Sequence, residues 1–214
     1  MRTAELIELL SARLQPVDRR QLTRSVALSV GFGFAAAIIA TALLYGFRTD
    51  LDRTRSVLFL LFKLAFASTV VLVGLAWLLR LARPGAEHGS KYLALATLPF
   101  ATLCTLAVIN LLLVPPADWE AMLMGHEWRK CLFSIPILAT APFAALVWAL
   151  RRGAPTDLKR SGAVAGLVAG GMGATAYALH GTGDQFPYIA LWYSGTLALC
   201  ALAGAVLGPK MLRW

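Results

Sequence analysis

The chain has 214 residues, of which 58% are hydrophobic and 14% charged, and its formal net charge is +9. Soluble domains carry about a quarter charged residues, so this balance excludes an ordinary soluble domain and points to an integral membrane protein. The basic excess does not require nucleic acid as a partner, because its distribution along the chain reads as membrane topology.

The first predicted element is a short amphipathic helix. Thr3 can cap its start, Glu5 suits its first turn and Pro16 stops it. Leu6, Ile7, Leu10 and Leu14 recur at three- and four-residue intervals and form one apolar stripe, which Leu9 broadens. A helix of about 12 residues is marginal alone in water, so the stripe needs a surface to cover it. That surface is either the membrane, helped by Arg13, Arg19 and Arg20, or the groove of a cytoplasmic partner. Glu5, Glu8 and Asp18 interrupt the opening, and the first apolar run is long enough to span. The segment therefore does not read as a cleavable signal peptide.

Six apolar stretches follow, at approximately 26–46, 57–79, 93–114, 131–150, 161–180 and 187–207, each near the ~20 residues that a membrane-crossing helix needs. The expected fold is an all-α integral membrane protein. Residues 1–25 form a cytoplasmic N-terminal segment with its short amphipathic helix, and residues 26–214 form a six-transmembrane-helix bundle. Cations concentrate in the N-terminal segment, around Arg80 and Lys91, around Arg151 to Arg160, and at Lys210 and Arg213. The opposite side holds Arg48, Arg53, Arg55, Arg129 and Lys130. Positive-inside bias then places both termini in the cytoplasm and GHEWRKC, starting at Gly125, on the periplasmic side of a bacterial inner membrane.

Within the spans, polar residues are few. Lys63 is the only formal charge, and it either faces the bundle interior or snorkels outward, the outward route being slightly preferred. Asn110 suits a helix–helix hydrogen bond. Pro99, Pro136 and Pro142 are kink sites, two of them in span four. Gly162, Gly166 and Gly170 line one face of span five, and Gly204 and Gly208 repeat the spacing in span six. This favours close packing inside one bundle over a homodimer seam. Trp77, Trp148, Tyr92 and Tyr188 fall near span ends, as aromatic belts do.

The catalytic inventory is thin: no phosphate-binding glycine loop, no histidine pair at metal-ligand spacing on one helix, no paired intramembrane carboxylates. The sequence implies no cofactor and no enzyme. Cys104 and Cys200 lie mid-span, where cysteine is a small packing residue. Cys131 follows Arg129 and Lys130 at a span end. It is either a thiol made reactive by neighbouring cations or a semi-buried packing group.

Several segments in order, AELIELLSARLQPV, WLLRLARPG, WRKCLFSIPILATAPF, ALRRGAP, LVAGGMGATAYALH, ALWYSG and the closing LRW, resemble the NrsF family of six-span inner-membrane anti-sigma factors. The resemblance covers essentially the whole chain. It implies that the N-terminal segment, with Glu5, Leu6, Ile7, Leu10 and Leu14, sequesters an extracytoplasmic-function sigma factor. Release would follow an envelope, oxidative or heavy-metal stress. The family's signal is associated with two periplasmic-side cysteines. One matches Cys131, and the other position is occupied here by Gly181. Sensing would then use Cys131 alone or with His126 or His180, and Cys131 with His180 is the candidate metal pair. A small transporter or channel using Lys63 and Asn110, or a membrane scaffold using the glycine faces, are the alternatives. The lipid bilayer is the other expected partner, direct nucleic-acid binding is not expected, and a homodimer is kept open.

Overall fold

The computed structural model describes residues 19–50, 53–82, 90–125, 127–153 and 155–213. The N-terminal stripe (Glu5, Leu6, Ile7, Leu10, Leu14) and His126 lie outside the described residues. Among those described, all regular structure is helical. The long helices are α1 (Arg19–Leu44), α2 (Thr54–Leu81) and α3 (Ser90–Leu112), then α5 (Trp128–Leu150) and α6 (Leu158–Ala178). The last, α7 (Phe186–Met211), contains a π turn at Ile189–Tyr193. A short helix, α4 (Trp119–Met124), follows a 3₁₀ turn at Pro116–Asp118.

Each expected apolar stretch is covered by one long helix, and the breaks have local causes. Gly46 takes φ +74°, a conformation that suits glycine, just after α1. Pro115 and Pro116 follow α3 and cannot continue it. Asp157 caps α6 by accepting a hydrogen bond from the Arg160 backbone N–H at 2.9 Å. Pro136 and Pro142 are both accommodated inside an unbroken α5.

Five stretches, Gln21–Leu44, Thr54–Leu81, Lys91–Leu112, Pro116–Leu150 and Phe186–Met211, are long and apolar enough to cross a membrane. Helix α6 is not among them, and its place in the bundle explains why. It packs against α1, α2, α5 and α7, and Val164, Ala165, Val168, Ala169, Met172 and Ala174 are buried. A helix enclosed by protein needs small residues that admit its neighbours rather than bulky residues that face lipid. The surrounding helices carry the bulky residues outward: Leu28 is 72% exposed, Leu43 80% and Leu72 67%. An apolar exterior of this extent would be a liability in water and suits hydrocarbon.

Helices α6 and α7 make the closest contact. A Cβ added at Gly162 would collide with the Gly204 carbonyl and lie 2.7 Å from the Gly208 Cα, and one at Gly166 would collide with the Cys200 carbonyl. The glycine face is thus spent inside one chain and is closed to a second copy. Cys200 packs into this seam, whereas Cys104 is exposed on the bundle exterior and is not the packing group expected from its mid-span position.

Candidate functional site

At one end of the bundle, which we call the Asp184 end, the α1–α2 and α6–α7 loops are bound together by charge. The Arg48 backbone N–H donates to the Leu179 carbonyl at 3.0 Å, seating the first loop on the end of α6. Its guanidinium donates through Nε and Nη2 to Asp50 at 2.7 and 2.9 Å, and through Nη2 to Asp184 Oδ2 at 2.7 Å. Lys63, from two and a half turns inside α2, donates through Nζ to Asp184 Oδ1 at 2.7 Å and to the Gly181 carbonyl at 3.0 Å. Ser56 donates to Asp50 Oδ2 at 3.1 Å.

The Lys63 side chain is 0% exposed, that of Arg48 1% and that of Asp184 14%. Lys63 therefore does not snorkel outward; a carboxylate from the α6–α7 loop holds it inside. Two cations face two carboxylates, which is how buried charge is tolerated. The Arg48 hydrogen bonds hold the Asp50 carboxyl well below the usual carboxylate range, and the same bonds raise Arg48 further above its already high value. A pocket of about 440 Å³ opens beside the cluster, lined among others by Asp50, Arg53, Arg55, Glu127, Asp184, Gln185 and Tyr188.

Beneath this layer lies Cys131, 0% exposed. It shares a core cluster with Phe66, Ile135, Tyr177, Tyr188 and Tyr193. Tyr188 is 3% exposed and so belongs to this core rather than to an aromatic belt. The flanking cations turn elsewhere: Arg129 lies over the Trp128 ring at 5.2 Å, and Lys130 pairs with Glu127 at 2.7 Å. Trp128 in turn stacks on Trp192 with centroids 4.8 Å apart, and the Trp192 indole N–H donates to the Leu123 carbonyl at 2.8 Å. Among the described residues, the buried hydroxyls of Tyr177 and Tyr193 have no hydrogen-bond partner.

A family model described as "Negative regulator of sigma F", NrsF, matches residues 10–214. The chain belongs to the NrsF family. Among curated relatives, a "Probable anti-sigma-F factor NrsF" of Azospira oryzae is 31% identical over 214 residues, covering all of both chains. An "Anti-sigma-F factor NrsF" of Caulobacter vibrioides is 34% identical over 217 residues, again covering all of both. No solved structure matches this chain.

The NrsF resemblance singled out Cys131, His180 and Gly181, and the structure gathers all three at the Asp184 end. His180 lies against aromatic rings, 5.4 Å from Tyr45 and 5.9 Å from Tyr177 between centroids. Among the described residues, no group of three or more His, Cys, Asp or Glu side chains is placed to hold a metal ion. At Gly181 an added Cβ would approach Tyr177 Cε1 at 3.0 Å, so a side chain there requires the ring to yield slightly. In the sequence Arg48 reads only as a loop cation, and nothing there marks Asp184 or Asp50. A lone intramembrane lysine was the available signal, since it demands a buried carboxylate or carbonyl somewhere in the fold.

Proposed function

We propose that this chain is a membrane anti-sigma factor. In this reading residues 1–25 hold an extracytoplasmic-function sigma factor at the inner membrane, both termini are cytoplasmic, and the six long helices all span. The Asp184 end faces the periplasm and receives a stress signal that releases the sigma factor. The observation that carries the reading is the pair of full-length relatives named anti-sigma-F factors, within a family described as negative regulators of sigma F. Two features support the finer parts. The cation-rich segments around Arg24, Arg80, Arg151 and Lys159 fall at the opposite end of the bundle from Asp184, as cytoplasmic loops would. An apolar stripe of Leu6, Ile7, Leu10 and Leu14 directly precedes the first helix and has the spacing of groove-binding anchors. The transporter alternative loses its best residue, because Lys63 is closed into an ion pair.

Truncating a central anchor commonly costs about 2 kcal/mol or more, roughly thirtyfold in affinity. Full-length protein purified from native membranes should carry a bound sigma factor, and a Leu6→Asp, Leu10→Asp double variant should lose it and raise transcription from that factor's promoters. Retention of the sigma factor by the double variant at wild-type yield would rule out the N-terminal segment as the binding element. Within the same reading Cys131, alone or with His126 or His180, is the proposed point of signal entry.

A further inference from the structure

We infer that Asp184, Lys63 and Arg48 form a latch that sets the position of α2, and that α2 carries the state of this latch to the root of α1 at the opposite end. The inference rests on the anti-sigma reading, and supplies the path by which a change in one face reaches a segment attached to the other.

Both cations of the latch converge on the α6–α7 loop, through the Asp184 carboxylate and the Gly181 carbonyl. Any displacement of that loop removes counter-charge and carbonyl from a lysine that has no water to replace them. Lys63 then has to move toward solvent or draw Asp184 with it, and in either case α2 shifts with it. From Lys63 to Leu81 α2 is continuous, about 27 Å of helix. Its far end, Leu78 and Leu81, with Ala82 just beyond, belongs to the apolar cluster that also holds Val26 of α1 and has Leu22 packed against it. Gly153 marks how close these parts are: a Cβ there would lie 3.2 Å from the Ala82 carbonyl oxygen and 3.4 Å from Leu22 Cδ1. Leu22 is four residues past Asp18, where residues 1–18 join. An ion cluster at one end, a continuous helix and a shared apolar cluster at the chain's entry to the bundle together make up the inferred two-state element, which both faces could bias.

The test uses the full chain in native membranes, with transcription from the co-purifying sigma factor's promoters as one readout. The second is the maleimide labelling rate of Leu81→Cys, a position buried at the far end of α2, in a Cys104→Ala background. Asp184→Asn keeps the shape of the side chain but leaves Arg48 with the Asp50 carboxylate and Lys63 with no carboxylate partner. Both readouts should rise without any stimulus, each by about tenfold, within the range of ordinary allosteric coupling. Unchanged transcription from a variant present at wild-type level would overturn the latch. So would a rise in transcription with Leu81→Cys labelling unmoved, because the effect would then bypass α2. Should Asp184→Asn fail to accumulate, Asp184→Glu, which keeps the charge one methylene away, should give a smaller rise in both. Loss of both variants from the membrane would assign Asp184 a purely structural role and reject the proposal. Deletion of residues 1–25 separates the two levels. If deletion leaves transcription low, the anti-sigma reading itself fails; if deletion raises it and Asp184→Asn does not, only the latch fails.

Discussion

Helix α6 is bound to its surroundings twice, along its length to α7 and at its C-terminal end to α1 and α2, and the two attachments work by opposite means. The α6–α7 seam has almost no side chains in it: Gly162 and Gly166 face Gly204, Gly208 and the Cys200 carbonyl, backbone against backbone. Its strength is dispersion between close-packed atoms, each contact weak and none dispensable. The attachment at the Asp184 end is carried by four charged side chains joined through the Gly181 carbonyl, with one backbone bond, Arg48 N–H to the Leu179 carbonyl, beside them. Such a set contributes little net stability relative to an apolar replacement, yet it is costly to break by halves. The seam therefore resists any added side chain, while the ion cluster depends on each of its charges. A protein that has to hold together and also change needs both kinds of contact.

The sharpest way to break this comparison is to remove one charge. Asp184→Leu should destabilise the bundle by about 3–5 kcal/mol, seen as a lower thermal midpoint in detergent, because Lys63 is left buried without a counter-charge. The double variant Lys63→Met, Asp184→Leu should recover most of that loss. If the double variant is as unstable as the single one, the cluster is not held by its charges. At the seam the expectation is the reverse, with no rescue. Gly204→Leu inserts a side chain where the Gly162 carbonyl already sits, and should cost about 3 kcal/mol, at the upper end for overpacking. An apolar substitution on the facing helix should not restore it, since backbone rather than side chain is in the way. The smallest expected effect is on pH dependence. The Asp50 carboxyl is depressed in the folded state, so its contribution is complete above the unfolded value near 4 and is lost only as pH falls below that. Thermal midpoints measured from about pH 5 to 8 should show no slope from this group. A slope in that window would place a different titrating group in the cluster.

The approximate place of each long helix was legible in the sequence, because hydropathy is a local property, but the start of α1 was not: it begins at Arg19, inside the polar opening segment. The seam was legible too, since both glycine rows carry the four-residue spacing that marks a close face. The pairing of Lys63 with Asp184 was not, because the two are 121 residues apart and nothing periodic links them. The setting of Cys131 was misleading for a geometric reason. Arg129, Lys130 and Cys131 are consecutive, but successive helix residues point about 100° apart, so neighbours in sequence need not share a side. The cations turned to Trp128 and Glu127 while the thiol turned inward. Tyr188 went the same way: its place near a span end suited an interfacial belt, and tertiary packing gave it to the core. The weak hydropathy of α6 had a meaning that only its neighbours reveal, namely that this helix faces protein on nearly every side.

The π turn at Ile189–Tyr193 adds one residue to the winding of α7 between its two working parts. Before it, Phe186 packs on Phe59 and Phe62, and Tyr188 joins the core cluster that holds Cys131; after it, Thr196, Leu197, Cys200, Gly204 and Gly208 turn inward. Rewinding that turn as ordinary α-helix with every residue kept would rotate everything downstream by about 100° relative to the first part. Gly204 and Gly208 would swing off the α6 face and bulkier residues would arrive in their place. The wide turn thus acts as a phase setting: one residue of slack determines which side of α7 is presented to α6 for the rest of its length.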